Sequence, residues 1–120
     1  MSSILIDAKK MVGGITEDYL HFDTDIIMYT NMALATATQL GVGPKSGFSI
    51  SGSESVWTDF IPESALLQFV KPYICAKVKL SFDPPSNSAV LDALKNMIAE
   101  SEWRILAEIE IQNSIVSEEV

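Results

Sequence analysis

The residues of this chain that could do acid–base chemistry are few. Asp23 and Asp25 stand two positions apart, and such a pair of carboxylates can share general acid–base work. Both fall at the start of a helical pattern, where negative side chains stabilise the positive end of the helix dipole, so this position explains them better than catalysis does. His21 is the one histidine, and no serine or cysteine nucleophile motif adjoins it. We therefore expect no catalytic residue and a protein that is not an enzyme.

Metal and cofactor sites are equally unsupported by the residue types. The single cysteine, Cys75, excludes an intrachain disulfide and a cysteine-based metal cluster. No calcium loop of regularly spaced aspartates occurs. The Gly-Val-Gly-Pro stretch at 41–44 is only a fragment of a phosphate loop, since its proline lacks an amide donor and no strand precedes it. The three lysines between positions 71 and 79 are typical of a solvated helix face. We expect no metal and no cofactor.

The bulk composition predicts a single domain over residues 1–120. Hydrophobic residues make up 48% of the chain, which is ample for a core. The formal charge of −8 opposes binding to phosphate backbones, and it suits either simple solubility or a surface that must not adhere to DNA. No apolar run approaches the roughly 20 residues that cross a bilayer, and residues 1–14 do not resemble a signal peptide. We expect synthesis in the cytoplasm and no membrane contact.

Apolar spacing predicts an all-α fold, a small bundle of about four helices. In the first helix, Leu5, Ala8 and Val12 fall on one side. In the third, Pro72 lies inside the pattern and should kink or split the helix, because it removes a backbone hydrogen bond; we expect a kink, because the apolar stripe keeps its phase across the proline. Asp23 is the expected N-cap of the second. The four predicted helices cover residues 2–12, 23–40, 63–82 and 88–106.

A long Gly/Ser-rich loop at 41–55 separates the second helix from the third. It holds four glycines, one proline and five serines. The alternation of Phe48 and Ile50 around a serine allows a short β-strand or hairpin arm, and two such apolar residues are unexpected in a loop that only connects. Trp57 and Phe60 follow in one helical turn, where they either plug the end of the core or contact another molecule.

The corner between the last two predicted helices is the stretch 82–86. Pro84 and Pro85 cannot continue a helix, so the third helix ends near Phe82 and the chain turns back. Ser86 or Ser88 is the expected cap of the next helix. The corner predicts two antiparallel helices joined by a stiff connection.

The fourth predicted helix is wider on its apolar side than one packing partner requires. Trp103 lies apart from the main stripe, which suggests a second contact, such as another subunit. The segment 107–120 either prolongs this helix or leaves it as an arm. Because Ile109 and Ile111 are too apolar for an inert tail, we favour a docking tail.

Five motifs in register resemble one family. They are Phe22–Ile27, Gln39–Pro44, Trp57–Phe60, the run from Val70 through Leu80 to the Phe82–Pro85 corner, and Glu102–Arg104. Their order and spacing over residues 2–106 are similar to those of the head–tail connector (adaptor) proteins of long-tailed bacteriophages and their prophages. Pro72 and the tail after Leu106 depart from the family pattern.

The resemblance implies a virion structural protein of the phage neck. Such proteins are ring-forming subunits, twelvefold in the virion, which assemble in the host cytoplasm beneath the portal protein. The ring extends the channel through which DNA passes without specific binding, and it is the platform for the next neck or tail protein. The residues that we single out as candidates for assembly contacts are Phe48, Ile50, Trp57, Phe60, Phe82, Pro84, Pro85, Trp103, Ile109 and Ile111.

Two functions of other classes stay open at this point. One is a small helical adaptor that regulates a protein partner as a monomer or dimer. The other is a DNA-packaging accessory factor, which predicts salt-sensitive binding to DNA, an expectation that the acidic charge opposes.

Overall fold

Five helices form the part of the chain that the structure describes. This structure is a computed structural model that describes the backbone of residues 2–119 and the side chains of residues 2–114. The helices are α1 (Ile4–Val12), α2 (Asp23–Gln39), α3 (Trp57–Phe60), α4 (Ala65–Phe82) and α5 (Ser88–Glu119). The all-α prediction is confirmed, with five helices instead of about four because the Trp57–Phe60 turn is a helix of its own.

The central element is α4, against which α1, α2 and α5 all pack. Its side chains are buried around most of the helix, including Val70, Tyr73 and Ile74. Ser64 begins the helix, since its Oγ accepts a hydrogen bond from the Leu67 amide at 3.3 Å. Helix α4 runs through Pro72 without a break, so the proline does not split it. The layout is therefore three helices arranged around a fourth.

Helix α5 runs antiparallel to α4, as the corner predicts. Tyr73 meets Glu102, while Phe69, one turn earlier in α4, lies beside Ile111 further along α5. The cap of α5 differs from the two serines that we expected. Asn87 Oδ1 accepts hydrogen bonds from the amides of residues 89 and 90 at 2.9 and 3.2 Å, so the Asn87 side chain is the N-cap of this helix.

The segment after Leu106 prolongs α5 rather than leaving it. The helix continues to Glu119, and Val120 lies outside the described residues.

The start of α2 also differs from the sequence-based expectation. Phe22, not Asp23, occupies the N-cap position and makes no side-chain cap bond. Asp23 is instead the first helical residue, and its carboxylate is used in an ion pair with α1.

The loop between α2 and α3 contains no β-hairpin. Across residues 2–119 the β-structure consists of one isolated antiparallel bridge between Ser3 and Val56. The hairpin does not form because the backbone groups of Ile50 bond to the side chain of Asn31 in α2 rather than to a second strand. The loop is therefore attached to α2 at Ile50, and the bridge to Ser3 attaches its end at Val56 next to the start of α1.

Candidate functional site

Four of the predicted contact residues gather at one end of the bundle. Ile50, Trp57 and Phe60 are buried, and Phe48 is half-buried with its ring 5.2 Å from that of Phe60. This placement agrees with the interpretation of Trp57 and Phe60 as a plug of the core. A contact between any of the four and another subunit stays a prediction.

Two polar anchors hold this end in place. Trp57 Nε1 donates a hydrogen bond to Asp7 Oδ2 in α1 at 2.8 Å. Asn31 Oδ1 accepts from the Ile50 amide at 2.8 Å, and Asn31 Nδ2 donates to the Ile50 carbonyl at 3.0 Å. A side-chain amide that satisfies both backbone groups of one residue fixes the local path of the chain. The middle of the loop is therefore held against α2 in one conformation.

The corner between α4 and α5 has an inner aromatic side and an outer proline side. The ring of Phe82 is half-buried and lies 5.4 Å from Phe22 and 6.3 Å from Tyr29. Pro84 is exposed and Pro85 is half-buried. The aromatic contacts attach the end of α4 to the start of α2, so the direction in which the chain leaves α4 is set by packing as well as by the prolines.

The outer surface of α5 carries an apolar row that we call the α5 ridge: Trp103, Ala107 and Ile111. These residues are four apart and so follow one side of the helix. Trp103 is 66% exposed and Ile111 is 53% exposed. Together with Phe69 of α4 the ridge borders a shallow groove of about 230 Å³. Ile109 is different, since it is half-buried and its Cδ1 would lie 3.4 Å from a Cβ placed at Gly41.

A second groove lies between α1 and α4, and we call it the α1/α4 groove. It has a volume of about 410 Å³, and its lining residues are Asp7, Lys10, Met11, Lys71, Pro72 and Cys75. Within the described residues neither Lys10 nor Lys71 makes an ion pair. A third groove, of about 520 Å³, lies where residues 41–44 approach the α3–α4 connection and Gln112 of α5.

A sequence profile of one family matches this chain. The family is described as phage connector protein, and the matched residues are 4–112. The chain belongs to the phage connector protein family. Comparisons with curated proteins and with solved structures give no match. The match confirms the resemblance to head–tail connectors and indicates a structural role in the phage neck, in a family that is typically not enzymatic.

Two ionisable side chains, Tyr73 and Cys75, lie in the core of this connector. The Tyr73 hydroxyl donates to Glu102 Oε2 at 3.1 Å, and burial together with the Glu102 carboxylate raises the pKa of Tyr73. Burial also raises the pKa of the Cys75 thiol to about 12, with a smaller contribution from Asp7. A thiol that holds its proton this strongly is a poor nucleophile.

The candidate acid–base residues are not assembled into a site in the connector. His21 and Asp25 are exposed, and the His21 ring packs edge-on against Phe22 at 4.9 Å. Among the described residues no cluster of three or more His, Cys, Asp or Glu side chains could hold a metal ion. In the same part of the chain, no helix combines the length and the apolar character needed to cross a membrane.

The feature of the connector that sequence reasoning missed is the buried Lys9. Its side chain is 2% exposed and lies 2.8 Å from Asp23 Oδ1, a buried oxygen for which this ammonium is the partner within the described residues. Its Nζ also donates to the carbonyls of Tyr19 at 2.9 Å and Glu17 at 3.3 Å. The signal was available, since position 9 follows Leu5 by four and so faces the core.

Proposed function

We propose that this chain is the repeating subunit of a ring in the phage neck. The ring lies between the portal protein at the capsid vertex and the next neck or tail protein, and it is twelvefold in the virion. It extends the channel for DNA and provides the platform on which the tail attaches. The observation that carries this proposal is the family match over residues 4–112.

The surface of the chain supports a ring. A ring that closes by rotation joins two unlike patches of each subunit. The connector has apolar surface on separate helices, namely the α5 ridge, where Trp103 is 66% exposed, and the α1/α4 groove, where Met11 is 37% exposed. Apolar patches of this kind mark contact surfaces on a protein that otherwise carries many charges.

The charge of α5 supports passage of DNA without specific binding. The helix carries seven acidic residues against two basic ones. An acidic channel wall repels the phosphates of DNA, so the duplex slides past without adhering. The segment 107–120, whose described part continues α5, is the proposed docking tail, and its end beyond Ile111 is the part proposed to contact the portal protein. Assembly takes place in the host cytoplasm before the ring becomes part of the virion neck.

Imaging with the portal protein tests the proposal. The purified chain is mixed with portal and examined by negative-stain microscopy and mass measurement, and we expect rings seated on the portal. A chain that stays monomeric with portal present contradicts the ring and favours a small helical adaptor. Salt-sensitive binding to DNA would favour a packaging accessory factor instead. Phage lacking the gene should yield heads without tails, and normal tailed particles would contradict the proposal.

The proline corner offers a more specific test. We expect the double substitution Pro84→Ala, Pro85→Ala to lower ring formation more than helix content, because it loosens the angle between α4 and α5 while leaving both helices able to form. Helix content is measured by circular dichroism and rings are counted by microscopy. Pro44→Ala, at another exposed proline, is the matched control. Normal rings from the double variant would show that the corner is only a connection.

A further inference from the structure

We propose that the α5 ridge of one copy docks into the α1/α4 groove of the next copy, and that these two surfaces form the contact between neighbouring subunits. The inference rests on the proposed ring, and it names the surfaces that close it. The occupant of the groove is thus a second copy of this chain. Three features of the described residues lead to this pairing: the position of the two surfaces, their apolar groups and their charges.

The two surfaces lie on different sides of α4. Helices α1 and α5 both pack against α4, and their main contacts are with it rather than with each other. Phe69 borders the ridge and Lys71 lines the groove. Counted at about 100° per residue, the groove residues Lys71, Pro72 and Cys75 lie roughly 200°, 300° and 240° around α4 from Phe69, so the two surfaces face different directions. The ridge cannot reach the groove of its own chain, whereas a head-to-tail ring requires unlike surfaces that face away from each other.

The apolar groups of the two surfaces suit each other. Trp103 and Ile111 project from the ridge, while Met11, Pro72 and Cys75 contribute apolar surface to the groove. A tryptophan that becomes covered at an interface removes about 150–250 Å² of its own surface from water, and tryptophan is enriched among residues that dominate binding. Methionine adapts to an aromatic ring through its flexible side chain and its sulfur. Trp103 is therefore the expected anchor of the contact.

The charges favour pairing of unlike surfaces over pairing of like ones. Beside the ridge, Arg104 is paired with Glu100 at 2.9 Å, which leaves the carboxylates of Glu108 and Glu110. Beside the groove, Asp7 accepts the Trp57 hydrogen bond, and the two ammonium groups make no ion pair within the described residues. A ridge facing a ridge would bring acids together, and a groove facing a groove would bring lysines together. Like charges disfavour both symmetric dimers, whereas ridge and groove attract.

Charge reversal in two steps tests the pairing. One variant carries Lys10→Glu and Lys71→Glu, a second carries Glu108→Lys and Glu110→Lys, and a third carries all four changes. Each of the first two should raise the protein concentration for half-maximal ring formation on portal by about tenfold, since two attractive pairs become repulsive. The third should restore it to within about threefold of the original chain. Asp92→Lys with Lys95→Glu, at exposed positions of α5 away from the ridge, is the matched control. Thermal unfolding confirms that every variant is folded.

Tryptophan fluorescence supplies an independent reading of the same contact. Trp57 is fully buried in the free chain, so a blue shift of the emission on assembly reports on Trp103. We expect that shift in the original chain and its loss in Trp103→Phe. Normal rings from both charge-reversed pairs, or unchanged Trp103 emission in the ring, would overturn the assignment while the ring itself stands. Failure of the quadruple variant to recover would overturn the pairing of these two surfaces. An original chain that never forms rings would overturn the ring proposal as well.

Discussion

Replacing Lys9 by methionine should destabilise the fold strongly. Methionine keeps the length and the apolar stem of the side chain but donates no hydrogen bond. Asp23, whose side chain is 23% exposed, then loses the ammonium group that lies 2.8 Å away, and two linker carbonyls lose their donor. Removal of one member of a buried ion pair costs about 3–5 kcal/mol. The partial exposure of Asp23 reduces this, and we expect a loss of about 3 kcal/mol in the free energy of unfolding.

The expected loss is large enough to measure by thermal unfolding. For a chain of this size, about 1 kcal/mol shifts the Tm by roughly 4 °C, so Lys9→Met should lower it by about 12 °C. Hydrogen exchange of residues 13–22 should rise in the same variant, because the linker loses its anchor. Lys10→Met, one position away and exposed, is the matched control and should change the free energy by under about 0.5 kcal/mol.

A double substitution separates the stranded charge from the lost packing. Adding Asp23→Asn to Lys9→Met removes the uncompensated carboxylate and should recover about 1–2 kcal/mol of the loss. If Lys9→Met unfolds within about 2 °C of the original chain, the reasoning from burial is wrong, and the ion pair contributes no more than one at the surface.

Three further predictions concern the loop and the core. A Cβ at Gly43 would lie 2.5 Å from the Phe60 ring, whereas nothing lies within 4 Å at Gly47, and φ is positive at both, so Gly43→Ala should cost about 1–2 kcal/mol more than Gly47→Ala in urea unfolding. Equal losses would exclude a clash. Asn31→Ala should cost about 1–2 kcal/mol and expose the loop to proteases, because one loop residue loses both backbone partners; an unchanged cleavage rate would contradict the anchor. Because burial raises the pKa of the Cys75 thiol from 9.0 to about 12, only the unfolded thiol ionises between these values, so its contribution to stability is complete below pH 9 and is lost as the pH rises towards 12. Native protein should resist thiol reagents at pH 8, and rapid labelling there would refute this.

Helices with clear ends were predictable from the sequence. Gly13 adopts a φ of 81° at the end of α1, and Asp83 ends α4 just before the two prolines. The buried stripe of α2 was also predictable, since Ile26 and Ala33 follow a helical period. These features depend on residues close together in the chain, where propensity and spacing are informative.

The polar anchors were not predictable in the same way. Lys9 and Asp23 are separated by 14 positions, and Asp7 meets Trp57 across 50 positions. The helical period places position 9 on the core side of α1, but it does not indicate a partner for the ammonium group. An aspartate at a helix start is expected to be a cap, and only the packed fold shows that it meets the lysine. The same reason explains why the short strand or hairpin arm that the alternation around Phe48 allows does not form: the partner of that loop is a side chain in α2.

The family was predictable because its motifs are spread along the chain, and the match over residues 4–112 confirms it. The assembly contacts were less accessible to sequence reasoning. A large apolar side chain in a small protein packs either in the core or at an interface. The residue type alone does not show which of these positions Trp57 and Trp103 occupy. The structure separates them by burial, since Trp57 is fully buried and Trp103 is 66% exposed, and the interface role of Trp103 stays a prediction.

The single helix α5 is nearly as long as the longest dimension of the subunit. Its 32 residues rise by about 1.5 Å each and so cover roughly 48 Å, close to the 50 Å of the longest dimension of the chain. Deleting one residue in the middle of α5 would shorten the subunit slightly, but it would turn everything beyond by about 100°. Only changes near seven or eleven residues keep the ridge in phase with the rest of the helix. In the proposed ring, related subunits that keep this contact are therefore expected to differ in the length of α5 by steps of about 10 or 16 Å.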